Sequence, residues 1–220
     1  MENLELINIW KEQNAKIEKT LAINKLLLKE TISRKAESSL KGLVRLKTVG
    51  IIAFVLYLLL LGYVLVYAIS NYSSASNYFI VSMSAIALIN LKGFADYIKH
   101  LVWTKNINYN GSIMKIQKQL SKIQLSIINH SKFMILQCPF WTTFYLSNSW
   151  FPQDVGLFYI LFQITITSSF IYLTYWLYKN HKPENFNKKW FRNLIAGSGG
   201  KSVEKALEFY REIEEFEKEN

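Results

Sequence analysis

Residues 49–69 are twenty-one consecutive amino acids without a charged side chain, VGIIAFVLYLLLLGYVLVYAI. An α-helix rises about 1.5 Å per residue, so this run is long enough to cross the roughly 30 Å hydrocarbon core of a bilayer. A buried helix of a soluble domain is rarely so uniformly apolar over this length. The run therefore predicts a transmembrane helix, and the rest of the chain must be arranged around it.

Three further apolar segments follow, at residues 77–98, 133–150 and 156–178. Pro139 lies inside the second of these, where it predicts a kink because proline has no backbone N–H to donate. We therefore expect an all-α polytopic membrane protein with four transmembrane helices in residues 48–178. Amphipathic, coiled-coil-like helices are expected on its cytoplasmic side.

The distribution of basic residues predicts the orientation of the chain. There are 26 Lys and Arg residues against 16 Asp and Glu residues. Ten of the basic residues precede the first span, six lie in residues 99–132 and nine follow the fourth span. The short turns at residues 71–76 and 151–154 have none. Because cytoplasmic loops are enriched in Lys and Arg, both termini and the central loop are expected in the cytoplasm.

The N-terminal segment, residues 1–47, contains no proline, and only Gly42 and Gly50 interrupt a continuous rod with the first span. Its apolar residues recur at intervals of three and four, which is typical of a coiled-coil seam, and two asparagines fall at positions that can set the register. The seam consists of Ile7, Trp10, Asn14, Ile17, Leu21, Asn24 and Leu28. Two interpretations stay open: a coiled coil with a partner, or an amphipathic helix that lies on the membrane or packs against its own chain.

Two other amphipathic helices are expected on the same side of the membrane. The loop at residues 104–131 is basic and has no acidic residue, whereas the tail at residues 179–220 has an interfacial basic helix, a flexible GSGG linker and an acidic last helix. The apolar faces comprise Ile113, Ile116, Leu120 and Ile123 in the loop, and Ala206, Phe209, Ile213 and Phe216 in the tail. Opposite charge favours pairing of these helices with each other, and a cytosolic protein is the other partner that they fit.

Lys92 and Asp96 are four residues apart near the end of the second span, so a helix brings them onto one face. A charged pair inside a membrane would mark a functional site. Because a lysine side chain can extend its amine to the lipid headgroups, we favour an ion pair at the membrane boundary.

No catalytic or cofactor site is indicated. His100, His130 and His181 lie near the ends of three different spans, without the spacing that metal ligands require. Cys138 is the only cysteine, and a thiol buried in a span is a poor nucleophile. The sequence lacks the phosphate-binding loop, the dinucleotide-binding glycine motif and the G-x-S-x-G nucleophile motif. We therefore predict no enzymatic activity, no cofactor, no metal site and no direct contact with nucleic acid.

Polar residues in the last span give a competing hypothesis. Gln163, Thr165, Thr167 and Thr174 could line a pore if several copies assembled into a small channel or transporter. Hydrogen bonding between helices is the commoner role of such residues, and we favour it here.

The two ends of the chain resemble a known family. The run W-K-x-Q-N at residues 10–14 and the closing segment GKSVEKALEFYREIEEFEKE from Gly200 are similar to those of uncharacterised four-span inner-membrane proteins of Bacteroidota. The resemblance implies a bacterial inner-membrane location. Genes of this family often lie beside sigma factors, which implies a regulatory, anti-sigma-like role. The leading hypothesis is thus a non-enzymatic regulator or scaffold that binds a cytoplasmic protein, with a sigma factor as one candidate, or a second copy of itself.

Overall fold

The computed structural model describes residues 2–109 and 111–219, and the side chains of residues 7–109 and 111–212. The prediction of an all-α protein is confirmed. The α-helices are α1 (Glu2–Ser70), α2 (Asn77–Lys105), α3 (Ile113–Met134), α4 (Leu157–Asn180), α5 (Lys189–Ala196) and α6 (Gly200–Glu219). Short 3-10 helices lie at Ser74–Ser76, Ile135–Thr142 and Pro183–Asn187.

Helix α1 runs for 69 residues without a break, so the N-terminal helix and the first span form one rod. At a rise of about 1.5 Å per residue the rod is roughly 100 Å long, more than three times the thickness of the hydrocarbon core. Gly42 and Gly50 do not interrupt it. Much of α1 must therefore project beyond the membrane.

Three helices of the described chain are long and apolar enough to cross a bilayer, and they support a multi-pass membrane protein. They correspond to the spans predicted at residues 49–69, 77–98 and 156–178. The transmembrane helix predicted at residues 133–150 is wrong. Helix α3 ends at Met134, and a 3-10 helix and turns follow. Pro139 lies inside that 3-10 helix and cannot donate the bond that a continuing α-helix requires.

The segment that replaces this helix runs antiparallel beside α2. Asn90 donates a hydrogen bond to Gln137 over 2.9 Å, and the hydroxyls of Ser82 and Thr143 lie 2.9 Å apart. Still further along, the Ser147 hydroxyl donates to the Ala75 carbonyl over 2.9 Å, next to the turn before α2. These side chains bond across to α2, which a uniformly apolar span does not do.

Helix α4 returns along the other side of this segment. The Gln163 amide donates to the Thr142 carbonyl over 2.6 Å, and the Tyr145 hydroxyl donates to Gln163 Oε1 over 2.7 Å. At the far end of α4, His181 Nε2 lies 3.3 Å from the Ser131 hydroxyl. The irregular segment is thus held between α2 and α4.

A three-helix bundle forms where α1, α3 and α6 meet. Helix α6 runs antiparallel to α1, with the Ser39 hydroxyl donating to the Ser202 carbonyl over 3.1 Å and the Tyr210 hydroxyl lying 3.4 Å from the Ser33 hydroxyl. The buried core consists of Ile32, Ala36, Leu40 and Leu43 of α1, Ile116, Leu120, Ile123 and Ile127 of α3, and Val203, Ala206, Leu207 and Tyr210 of α6, together with Ile107. Fully burying one such aliphatic side chain contributes about 1.5–3 kcal/mol, so this core fixes the bundle.

The glycine segment before α6 is a tight turn and not the predicted flexible linker. Gly199 has a backbone φ of 90°, which residues with a Cβ rarely adopt. A Cβ added there would lie only 2.2 Å from Leu43 Cδ1. The close approach of this turn to α1 sets the position at which α6 starts.

Candidate functional site

Charged side chains are buried where α1, α2 and α3 meet. Lys47 of α1, Asp96 and His100 of α2, and His130 of α3 all have relative exposures below a tenth. Gly50 allows the close contact, because a Cβ at that position would lie 2.3 Å from Tyr97 Cε1. Since residue 50 is in the first turn of the charge-free run, the cluster lies at the depth where that run starts.

Asp96 is the centre of this cluster. Its carboxylate accepts a hydrogen bond from Lys92, the predicted ion-pair partner, and a second from Lys99 over 3.1 Å. The Nδ1 atom of His130 lies 3.4 Å from Asp96 Oδ2, outside hydrogen-bonding geometry. The pair predicted at the membrane boundary is therefore one part of a larger network.

Lys47 is fully buried, and its Nζ atom has no hydrogen-bond partner among the described residues. The ammonium lies 3.7 Å from the centroid of the Tyr97 ring. A cation above an aromatic face is attracted by the ring's negative quadrupole, so Tyr97 partly compensates for the lost water. An isolated buried ammonium without hydrogen bonds is nevertheless costly.

The two histidines differ in their surroundings. Burial and, next, the positive charge of Lys47 lower the pKa of His130 from 6.5 to about 4, while the nearby Asp96 carboxylate opposes the shift. His130 is therefore neutral at pH 7. His100 Nε2 lies 2.9 Å from the Ser126 hydroxyl, and its Nδ1 has no partner in the described part of the chain.

The cluster does not have the geometry of the common hydrolytic or metal sites. A nucleophilic serine needs a histidine that a third group orients, but Asp96 contacts His130 and not the His100 paired with Ser126. The described residues also contain no group of three His, Cys, Asp or Glu side chains arranged to hold a metal ion. These side chains can pair with groups of opposite charge and hold α1, α2 and α3 together.

The structure separates the predicted interaction residues into two sets. Ile7, Trp10 and Ile17 have exposed fractions of 50%, 69% and 64%. Asn14 and Asn24 are also exposed, Leu21 is partly exposed, and Leu28 packs against the edge of the bundle core. The seam on α1 up to residue 24 therefore has little contact with the rest of the described chain.

The residues of the other set pack inside the molecule. Ile116, Leu120, Ile123 and Ala206 are buried in the bundle core, and Ile113 and Phe209 pack against it. The side chains of Ile213 and Phe216 lie outside the described residues. The basic helix and the acidic helix thus contact each other, and their apolar faces are not free for a cytosolic protein.

The residues suggested for a pore are mostly engaged. Gln163 bonds to Thr142 and to the Thr167 hydroxyl, and Thr165 donates to the Leu161 carbonyl of its own helix. Thr174 is buried, and its hydroxyl has no partner among the described residues. Hydrogen bonding within the chain therefore accounts for three of the four.

Sequence reasoning missed that Lys47, His100 and His130 are buried together with Asp96 where three helices meet. One signal was present, because Lys47 continues the three- and four-residue spacing of Leu40 and Leu43 along the buried face of α1. The contacts themselves join residues that are far apart in the chain, and periodicity does not report such contacts.

Comparisons with known protein families, with curated proteins and with solved structures find no match to this chain.

Proposed function

We propose that this protein is a non-enzymatic scaffold or regulator of the bacterial inner membrane, and that the exposed seam of α1 binds a helical partner. The observation that carries the proposal is the combination of heptad spacing with exposure along residues 7–24. An apolar stripe on a projecting helix is a typical docking surface for another amphipathic helix.

The seam continues the face of α1 that is already buried lower down. From Leu28 the three- and four-residue spacing proceeds through Ile32, Ala36, Leu40 and Leu43, which pack against α3 and α6. One helix face is thus covered in its middle part and open in its N-terminal part. A further helix added beyond α6 would extend the same core.

We favour a second copy of the chain as the partner. Copies inserted in one membrane project α1 in the same direction, so the two seams meet in parallel and in register. Asn14 then falls at a core position, where a single polar residue specifies register. The flanking positions bring Gln13 near Glu18 and Thr20 near Lys25 of the other copy, so these contacts place no like charges together. A cytosolic helix, such as part of a sigma factor, is the competing occupant.

The same-side packing of α1 and α6 supports a further element of the proposal. The basic residues around them predict that α6 and the part of α1 before the first span lie in the cytoplasm. An even number of membrane crossings must then separate them, whereas the described residues contain three helices long and apolar enough to cross. We propose that residues 133–150 make the fourth crossing in irregular form. Such backbone is tolerated at membrane depth where protein shields it from lipid.

A photoreactive amino acid at position 17 tests the seam directly in intact cells. Position 19 is the matched control, because Lys19 lies on the same helix, is exposed and faces away from the seam. We expect ultraviolet light to give an adduct of twice the chain mass from position 17 and little adduct from position 19. An adduct of another mass, identified by mass spectrometry, would replace the second copy with that protein. Equal labelling from both positions would refute a docking role.

A further inference from the structure

A pocket opens beside the charged cluster, between α2 and α3. Its volume is about 260 Å³, near the lower limit of roughly 300–1,000 Å³ for small-molecule sites. Three lysines line it, Lys92, Lys99 and Lys122, together with Asp96, Trp103 and Asn129. The size suits a small charged group.

The pocket has more positive than negative charge. Asp96 is the one carboxylate that lines it, and it is bonded to both Lys92 and Lys99. Lys122 contacts no carboxylate within the described part of the chain. Three ammonium groups therefore share a single carboxylate, and the two remaining positive charges attract an anion into the pocket.

An aromatic ring holds two of these ammonium groups in place. Lys122 Nζ lies 4.2 Å and Lys99 Nζ lies 5.2 Å from the Trp103 ring. The cation–π contacts restrict both side chains before any ligand binds, which lowers the entropy cost of binding. Lys92 and Lys99 are about two-fifths exposed, at 41% and 40% of the side chain, so an anion can reach them.

The position of the pocket relative to the membrane favours a lipid over a soluble anion as its ligand. Asp96 and Lys99 flank Tyr97, which contacts Gly50 in the first turn of the charge-free run. The lysines and Trp103 therefore lie at the level of the headgroups, where Trp and Lys are typical membrane anchors. Basic pockets beside transmembrane helices, such as α2 here, bind phosphate-bearing headgroups at this depth.

We propose that this pocket binds the phosphate of an anionic phospholipid, with Lys92, Lys99 and Lys122 neutralising its charge. The Asn129 side-chain amide is available as a neutral donor at the rim. The site uses α2 and α3 and does not depend on what the seam of α1 binds. A bound lipid would join these two helices at the membrane surface.

Native mass spectrometry of the full-length protein in detergent measures this binding, with phosphatidylglycerol, phosphatidylcholine or inorganic phosphate added separately. The test variant is Lys99→Gln with Lys122→Gln. The matched control, Lys115→Gln with Lys118→Gln, removes the same charge from exposed positions of α3 that do not line the pocket. Circular dichroism of both variants checks that the helices remain.

We expect phosphatidylglycerol to bind about 30-fold more weakly to the test variant, because each lysine near an anionic headgroup contributes about fivefold. The control should change less than twofold. Lys122→Gln alone should weaken binding about fivefold, and it leaves both ion pairs of Asp96 intact. Equal losses in both double variants, or equal binding of phosphatidylcholine to the wild type, would overturn the site. If inorganic phosphate displaced the lipid at equal concentration, the ligand of the pocket would be a soluble anion and not a lipid.

Discussion

The replacement of Lys47 by methionine tests whether the buried ammonium stabilises this fold. Lys47 is fully buried and has no hydrogen-bond partner among the residues that the structure describes, and its Nζ lies 3.7 Å from the Tyr97 ring centroid. Methionine has a similar length and keeps the apolar contacts of the side chain. The substitution therefore removes the charge and little else.

The expected change in the free energy of unfolding is the sum of two opposing contributions. Removing the desolvated cation–π contact with Tyr97 costs about 2 kcal/mol. Removing the buried ammonium also removes its desolvation penalty, which is several kcal/mol per ion and is taken as about 3–4 kcal/mol here. Asp96 keeps its bonds to Lys92 and Lys99, so no carboxylate is left unpaired. We expect Lys47→Met to raise the free energy of unfolding by about 1–2 kcal/mol.

Denaturant unfolding in lipid nanodiscs, followed by tryptophan fluorescence, gives the free energy of unfolding. Lys41→Met is the matched control on α1, since Lys41 is exposed and pairs with Glu37 of its own helix, at 3.3 Å. Its effect should stay within about 0.5 kcal/mol. If Lys47→Met were less stable than the wild type while the control was unchanged, the ammonium would be a net stabiliser and this reasoning would fail.

Three further predictions use the same unfolding assay. Gly50→Ala should lower the free energy of unfolding by about 1–3 kcal/mol, because its Cβ meets the Tyr97 ring, whereas Gly62→Ala has open space and should not lower it. Leu120→Ala should cost about 2–5 kcal/mol through a cavity in the bundle core; a loss below about 1 kcal/mol would mean that the core is not packed as described. His130 has a folded pKa of about 4 against 6.5 when unfolded, so the unfolded state binds the extra proton between these values. Stability should therefore fall by up to about 3 kcal/mol as the pH decreases from 6.5 to 4, and His130→Gln should remove that part of the pH dependence.

The helices were predictable where one local signal dominates. The length of a charge-free run identifies the first span, and three- and four-residue spacing identifies the faces of α3 and α6 that pack in the bundle. The seam predicted on α1 is exposed up to residue 24. The prediction of a transmembrane helix at residues 133–150 was wrong for a physical reason. Hydropathy counts apolar residues, but Pro139 and the side-chain bonds of Gln137 and Thr143 to α2 favour an irregular backbone there.

Only one pair of residues in the candidate site was predictable from the sequence. Lys92 and Asp96 are four residues apart, and helix geometry alone brings them together. Lys47 and His130 reach the same point from other helices, at a depth set by Gly50 and the Tyr97 ring. Ten basic residues precede the first span, and only its spacing from Leu40 and Leu43 distinguishes the buried Lys47 from the others.

The number of membrane crossings gives a last prediction. Helix α6 packs along the part of α1 before the first span, through Ala36, Leu40 and Val203, so we expect these two parts on the same side of the membrane. If residues 133–150 did not cross, the three long helices between them would separate these partners. Single cysteines in a Cys138→Ser background can be labelled with a membrane-impermeant maleimide. We expect Lys19→Cys and Lys205→Cys to react from one side, and Ser73→Cys and Ser149→Cys from the other. Reaction of Ser149→Cys on the same side as Lys19→Cys would exclude the irregular crossing, and the packing of α6 on α1 would then need another explanation.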